Sequence, residues 1–221
     1  MRRLLSIIAS LIAIAAPSST YAQIVPDDSL PNNSQVNSEQ EITGGTTVGD
    51  NLFHSFEEFS VNIGTEAFFN QDSAIANIIS RVTGGDISNI DGLIRANGTA
   101  NLFLINPNGI IFGENASLDV GGSFLASTAD RIQFADGEEF SAVSPDDSSL
   151  LTVNIPIGLQ YGSDPADITV AGSGNNLSID IEDTFTVNRS DRPLGLSVDS
   201  GNTLALLGGG RFIARRKSNR C

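Results

Sequence analysis

Short apolar runs separated by turn residues repeat along most of this chain. From Thr46 onward, runs rich in Val, Ile, Leu, Phe and Thr alternate with gaps that carry Gly, Asn, Asp or Ser. Within a run such as Leu177–Ile181 the apolar and polar positions alternate, which predicts a strand with one buried and one solvent-facing side. Regular short strands with turn residues between them indicate a sandwich, a barrel or a β-solenoid.

The predicted strands are short and closely spaced. They lie at Leu93–Ile94, Leu102–Ile105, Ile110–Phe112, Leu118–Val120, Phe124–Leu125, Ile132–Phe134, Leu151–Ile157, Ile168–Val170, Leu177–Ile181, Phe185–Val187, Leu194–Val198 and Leu204–Leu207. The segment Asp72–Arg81 has apolar residues at helical spacing. Its polar residues and the Gly84-Gly85 pair that follows favour a strand there instead.

Glycine pairs and the aromatic content favour the solenoid among the three all-β folds. Gly-Gly corners occur at Gly44-Gly45, Gly84-Gly85, Gly121-Gly122 and Gly208-Gly209. Such corners suit sharp bends between short strands, and a chain without Trp and with two Tyr does not resemble an immunoglobulin-like core. We therefore expect stacked coils in which like apolar side chains align, with inward-facing Asn side chains forming ladders at the corners.

The turn formed by Asn106, Pro107, Asn108, Gly109 and Ile110 lies between two apolar runs. Proline presets φ at the first central position, Asn tolerates a left-handed conformation, and Gly adopts a positive φ without steric cost. Two interpretations stay open for this turn. It either shapes a coil or presents a signal that a partner protein recognises.

Charge is distributed unevenly along the 221 residues, whose formal net charge is −14. The segment 23–210 holds all 26 acidic residues and five arginines, a net charge of −21. A body this acidic repels phosphate backbones and anionic membrane surfaces, so we expect no nucleic-acid partner. The last eleven residues hold five of the twelve basic residues instead.

The cysteine and histidine content limits the chemistry. Cys221 and His54 are the only residues of their types. One cysteine cannot build a disulfide framework, and one His with one Cys cannot build a zinc or iron–sulfur site. We expect no cofactor, and we expect His54 to be a buried or turn-bonded ring rather than a catalytic base.

The chain divides into four predicted segments. Residues 1–22 combine Arg2-Arg3, an apolar run too short to span a bilayer and a small-residue cleavage site, which predicts a signal peptide without stable membrane insertion. Residues 23–42 are polar and predicted to be an irregular leader, and residues 43–209 form the repetitive domain. Residues 210–221 are predicted to be an aberrant, frameshifted tail, with a genuine basic tail as the alternative.

Five motifs occur in an order that resembles a known family. They are Asn51–Val61, Arg81–Gly85, Ile90–Ile94, Asn106–Ile110 and Val120–Thr128. Together they resemble the filamentous haemagglutinin N-terminal domain of cyanobacterial type, the secretion domain of two-partner secretion exoproteins. Family members often carry an additional Asn-Pro-Asn-Leu turn, which this sequence lacks.

The resemblance implies a fold, a partner and a location. The fold is a right-handed parallel β-helix with an N-terminal β cap. The partner is an outer-membrane β-barrel transporter with periplasmic docking domains, and the product is a secreted or cell-surface adhesin exported via the periplasm. The turn Asn106–Ile110 and the aromatic residues Phe53, Phe56 and Phe59 are the candidate partner-recognition residues.

Each candidate also has a structural interpretation or a competing function. We expect the phenylalanines Phe53, Phe56, Phe59, Phe68 and Phe69 to fill the cap and seal the first coil. The acidic pairs Glu138-Glu139 and Asp146-Asp147 are expected to be solvated corners, since a polysaccharide lyase needs clustered carboxylates with a nearby cation. A stand-alone carbohydrate-binding or structural solenoid remains the alternative function, and we expect no enzyme.

Overall fold

The computed structural model describes residues 24–145, 151–172, 178–180, 186–188, 195–209 and 213–215. These residues contain 21 strands and no helix. The strands are β1 (Ile24–Pro26), β2 (Ser34–Val36), β3 (Glu41–Gly44), β4 (Thr46–Val48), β5 (Asn51–Phe59), β6 (Glu66–Phe69), β7 (Asn77–Val82), β8 (Ser88–Ile90), β9 (Leu93–Ala96), β10 (Asn101–Ile105), β11 (Ile110–Phe112), β12 (Ser117–Val120), β13 (Phe124–Ser127), β14 (Arg131–Phe134), β15 (Glu139–Ser141), β16 (Pro156–Gln160), β17 (Ile168–Ala171), β18 (Ser178–Asp180), β19 (Thr186–Asn188), β20 (Leu204–Leu207) and β21 (Ile213–Arg215).

Parallel pairing winds these strands into coils with three sheets. Sheet 1 contains β5, β7, β10, β13 and β20; sheet 2 contains β8, β11, β17 and β21; sheet 3 contains β3, β6, β9 and β12. The chain visits sheets 1, 2 and 3 in turn, with the single bridge Val61↔Ile90 marking sheet 2 of the first coil. The prediction of an all-β parallel β-helix is confirmed, with three complete coils between β5 and β12.

Like side chains are stacked inside the coils. The register of sheet 1 aligns an apolar side chain from every coil in one inward row, namely Leu52, Ile78, Leu102, Phe124 and Leu204. The first four of these are at most 5% exposed. Alternation along each strand sends the next residue to the opposite face of the sheet, so the same strands also carry an outward row.

The outward row of sheet 1 is covered by an excursion of the chain. Residues 131–145 and 151–160, hereafter the excursion, leave the coil between β13 and β17 and form an antiparallel sheet in the order β15-β14-β16. Phe134 and Phe140 of the excursion pack on Phe53, with ring centroids 5.9 and 5.1 Å from it. The domain thus has a second, smaller core outside the coils.

The predicted N-terminal β cap is present. Strands β1 and β4 pair antiparallel with β5, and β2 pairs antiparallel with β3, so they cover the edge of the first coil. An uncovered solenoid end leaves strand edges open to aggregation. The described part of the predicted leader, residues 24–42, is therefore not irregular as expected: its backbone pairs with the first coil, and Ile24 and Leu30 are buried.

Most predicted strands are confirmed, with two differences. β7 confirms the strand preferred over a helix in the second coil. Residues 151–155 are not a strand, because the backbone oxygens of Thr152 and Asn154 accept from the side chain of Asn51 in the first coil. The strand begins at Pro156. Residues 195–198 form no strand either, although Leu196 and Val198 pack against the core. The predicted signal peptide lies outside the described residues, as does the predicted tail except β21.

Candidate functional site

The turn Asn106–Ile110 joins sheets 1 and 2 in the third coil. Asn106 is fully buried, and its side-chain amide donates to the backbone oxygen of Asp86 at 3.0 Å and to the hydroxyl of Ser88 at 2.9 Å. Its side-chain oxygen accepts from the backbone N–H of Asn108 at 2.9 Å. The Asn106 side chain therefore fastens the third coil to the corner of the second.

The other residues of the turn differ in exposure. Gly109 and Ile110 are buried, Pro107 is half-buried, and Asn108 is exposed. Gly109 has φ of 121°, a conformation that L side chains rarely adopt, and the Ile110 N–H donates to the backbone oxygen of Asp167 at 3.3 Å. The turn thus holds the coils on both sides, and only Pro107 and Asn108 face solvent.

The candidate aromatic residues are inside the protein. Phe53, Phe56 and Phe59 are at most 2% exposed, and Phe56 and Phe59 form a cluster with Phe69 at centroid distances of 5.3 to 6.5 Å. Phe68 is half-buried under the guanidinium of Arg95. Phe56, Phe59 and Phe69 fill the first coil as expected, whereas Phe53 faces the excursion and Phe68 lies half-buried outside the coil.

His54 lies in the first coil beneath the cap. It is 1% exposed, its Nδ1 lies 2.9 Å from the Ser34 hydroxyl, and its ring contacts Phe56 and Phe69. Burial lowers the pKa of His54 from 6.5 to about 3. The expectation of a buried ring is confirmed, and this histidine is neutral at physiological pH.

The buried neutral His54 predicts acid sensitivity. Because the folded pKa lies below the unfolded one, stability is complete above about pH 6.5 and falls by about 1.4 kcal/mol per unit as the pH decreases toward the folded pKa. We expect a loss of about 2 kcal/mol between pH 7 and pH 5, measured by urea unfolding. The variant His54→Gln should show less than half of this loss. An equal loss in both proteins would exclude His54 as its source.

An asparagine ladder follows one corner of sheet 1, as predicted, but it faces the excursion rather than the coil interior, because its members alternate with the inward row of sheet 1. Asn101 donates to Asn77 at 3.0 Å, and Asn77 donates to Asn51 at 2.9 Å, over sequence separations of 24 and 26 residues. Asn51 ends the ladder by donating to the backbone oxygens of Thr152 and Asn154. Each amide thus satisfies its neighbour, and the excursion supplies the last acceptors.

A buried polar network that sequence reasoning missed joins the cap, two coils and the excursion. Arg81, 4% exposed, donates to the hydroxyls of Ser55 at 2.8 Å and Ser29 at 2.9 Å. Both hydroxyls donate in turn to the carboxylate of Asp27. The guanidinium also lies 4.2 Å from the ring centroid of Phe140. In the sequence Arg81 appears as one of five arginines in an acidic body and as the first residue of the motif Arg81–Gly85, and neither feature indicates its burial.

The Asp27 carboxylate is held ionised by this network. Burial alone would raise its pKa, but the hydrogen bonds from Ser29, Thr83 and Ser55 outweigh burial and lower the pKa below its usual value. The Arg81 cation and the Asp27 anion are therefore paired through two serine hydroxyls. The arrangement is suited to fixing the cap on the coils and offers no exposed reactive group.

The described residues contain neither a cluster of metal-ligand side chains nor a helix that could span a membrane. No group of three or more His, Cys, Asp or Glu residues in this part of the chain is placed to hold a metal ion. Among the same residues there is no helix with the length and hydrophobicity of a membrane span. Glu139 of the first acidic pair binds Arg131 at 2.8 Å, whereas Asp146-Asp147 lies outside the described residues.

Comparison with known proteins agrees with this architecture. A family model described as the TPS secretion domain matches residues 22–220. A heme/hemopexin-binding protein of Haemophilus influenzae strain Rd is 32% identical over 133 residues, which are 57% of this chain and 14% of that protein. A second Haemophilus influenzae protein of the same name is 37% identical over 75 residues, 34% of this chain and 8% of that protein. This chain therefore spans less than a fifth of these curated relatives.

The match covers the cap, the three complete coils, the excursion and the strands that follow. The buried turn, the asparagine ladder and the cap network lie within it. The chain belongs to the TPS secretion domain family and is the secretion domain of a two-partner secretion exoprotein.

Proposed function

We propose that this chain is the N-terminal, secretion-directing part of a large adhesin- or haemagglutinin-like exoprotein. An outer-membrane β-barrel transporter with periplasmic docking domains recognises it in the periplasm and delivers it to the cell surface or the medium. The family match over residues 22–220 carries this proposal. The chain acts through binding and folding, without a cofactor and without enzymatic activity.

The coil architecture supports export driven by folding. Each coil pairs only with its neighbours, over sequence separations of 26 and 24 residues along the asparagine ladder. Coils of this kind fold one after another as the chain emerges, and each added coil hinders its return. The excursion completes the folding of the first coil. The backbone oxygens of Thr152 and Asn154, which lie more than 100 residues further along the chain, accept hydrogen bonds from the side chain of Asn51.

Export dependence on the transporter tests the proposal directly. When the chain is expressed together with the transporter that the adjacent gene encodes, we expect to find the protein in the medium or on the cell surface. Without the transporter, or with a transporter that lacks its docking domains, it should remain in the periplasm. Equal export with and without the transporter would contradict the proposal and favour a solenoid exported by another route.

A stand-alone carbohydrate-binding role is the second candidate, favoured by one groove. This groove has a volume of about 630 Å³ and runs along the corner between sheets 2 and 3, where Glu39, Glu66, Asn115 and Ser117 line it. Carboxylate, amide and hydroxyl groups together suit a hydroxyl-rich ligand. Polysaccharide binding by the purified domain that Asn115→Ala abolishes would support this role. Binding to none of a panel of bacterial and host glycans would exclude it.

A further inference from the structure

The excursion and the coils have separate hydrophobic cores. The core inside the coils contains no described residue of the excursion. The second core lies outside sheet 1, where Phe53, Ile79 and Ile105 are covered by Phe134 and Phe140 of the excursion. The three residues from sheet 1 are completely buried there. The excursion can therefore leave sheet 1 without taking a side chain out of the coil interior.

The backbone of the excursion is also separate from that of the coils. Its strands form a sheet of their own, and within the described residues no backbone hydrogen bond joins them to sheet 1. The parallel ladder of sheet 1 runs from β5 through β7 and β10 to β13 without a strand of the excursion. Because this ladder holds the coils in register, the coils stay stacked when the excursion moves away.

Two polar side chains of the coils fasten the excursion. Asn51 donates to the backbone oxygens of Thr152 at 2.9 Å and Asn154 at 2.8 Å. Arg81 donates to the backbone oxygen of Ser141. When the excursion moves away, water reaches both the donors and the acceptors, so each of these hydrogen bonds adds only a modest net stabilisation to the closed state.

The two ends of the excursion meet at one point. Arg131 pairs with Gln160, and the N–H of Asp130 donates to the backbone oxygen of Gln160 at 2.8 Å. From this base, which follows β13, the excursion reaches back across sheet 1 to Phe53 and Asn51 in the first coil. It is thus tied to the chain at one side and fastened by side chains at the other.

We propose that the excursion acts as a strap that opens and closes as one unit while the coils stay stacked. Once detached it unravels, because so short a segment without a core of its own does not hold a fold. Opening uncovers Phe53, Ile79 and Ile105, and closing buries them again. Closing after the coils during export rests on the proposed function, whereas opening in the folded chain does not.

Native-state hydrogen exchange of the full chain tests the strap. We expect the paired amides of β14 and β16 to exchange at least about tenfold faster than those of β7 and β10, after correction for intrinsic exchange rates. Low urea concentrations should accelerate exchange in β7 and β10 more steeply, because unfolding of the coils exposes more surface. Equal rates with equal urea dependence in all four strands would overturn the proposal.

Two neighbouring residues of β7 provide matched variants. Ile79 faces the excursion and Ile78 faces the coil interior, and both are completely buried. Ile79→Val should speed exchange in β14 and β16 about threefold to tenfold, because it weakens a contact that opening removes. Ile78→Val should leave these amides unchanged and speed those of β7 and β10, because Ile78 stays packed when the excursion opens. Acceleration of all four strands by Ile78→Val would contradict separate opening, as would unchanged exchange in β14 and β16 of Ile79→Val.

Thiol labelling measures the uncovering of sheet 1 directly. In a Cys221→Ser background, Ile105→Cys places a thiol under the excursion, and Leu104→Cys places one inside the coil. Both positions are at most 1% exposed in the closed state. We expect a thiol reagent to react at least about tenfold faster with the Ile105→Cys protein. Equal reaction rates in the two proteins would show that the excursion opens only when the coils unfold.

Discussion

Replacing Arg81 with methionine is expected to destabilise the domain by about 3–5 kcal/mol, the cost of removing one partner from a buried charge network. The guanidinium donates to Ser29, to Ser55 and to the backbone oxygen of Ser141. Methionine fills a similar volume but donates nothing. The Asp27 carboxylate then loses the cation to which two hydroxyls connect it, and buried acceptors lose their donor.

Arg95→Met is the matched control for this prediction. Arg95 also lies over an aromatic ring, 3.6 Å from the centroid of Phe68, and also pairs with a carboxylate, that of Glu66 at 2.7 Å. Its side chain is 31% exposed, however, so its loss should cost at most about 1 kcal/mol. Urea unfolding of both variants measures the two losses of stability. Similar losses in the two proteins would show that the buried network contributes no special stability.

The substitution Asn106→Asp is expected to cost about 3 kcal/mol or more at pH 7. The carboxylate still accepts from the backbone N–H of Asn108, but it no longer donates to the backbone oxygen of Asp86. A fully buried carboxylate with one oxygen set against the backbone oxygen of Asp86 is among the most destabilising changes in a protein. Urea unfolding at pH 7 measures the loss, and lowering the pH should recover part of it, since a protonated carboxyl donates again.

Asn108→Asp makes the same chemical change at the exposed position of the same turn. It should alter stability by less than about 1 kcal/mol, because water solvates the new charge. Export through the transporter then separates two roles of the turn. If Asn108→Asp reduces export at unchanged stability, the transporter recognises the exposed turn directly. If only Asn106→Asp reduces it, the turn acts through the fold, and unchanged export of both variants would contradict both roles.

Local patterns in the sequence were sufficient for the repeating part of the fold. The run Ile110–Phe112 and the run Leu204–Leu207 coincide with the observed strands, because strand propensity and the turn residues around each run act within a few positions. The asparagine ladder was predictable for the same reason. Its members are polar residues that recur at a corner once in every coil.

The sequence was less informative where distant segments meet. Residues 151–157 look like a strand, yet their first half caps Asn51 across more than 100 residues. The polar leader looks irregular, yet its backbone pairs with β5 and its Asp27 belongs to the cap network. A polar residue in a local window carries no sign of a partner contributed by another part of the chain.

The sequence by itself determined the coil, its strands, its turn residues and the family to which the domain belongs, since these depend on contacts between neighbours in a repeating pattern. Only the tertiary structure decided which polar groups are buried. Asn106 and Arg81 are enclosed because the next coil, the cap and the excursion all close over them. Burial is a property of the assembled chain, and it converts two ordinary polar side chains into the groups on which stability is expected to depend most.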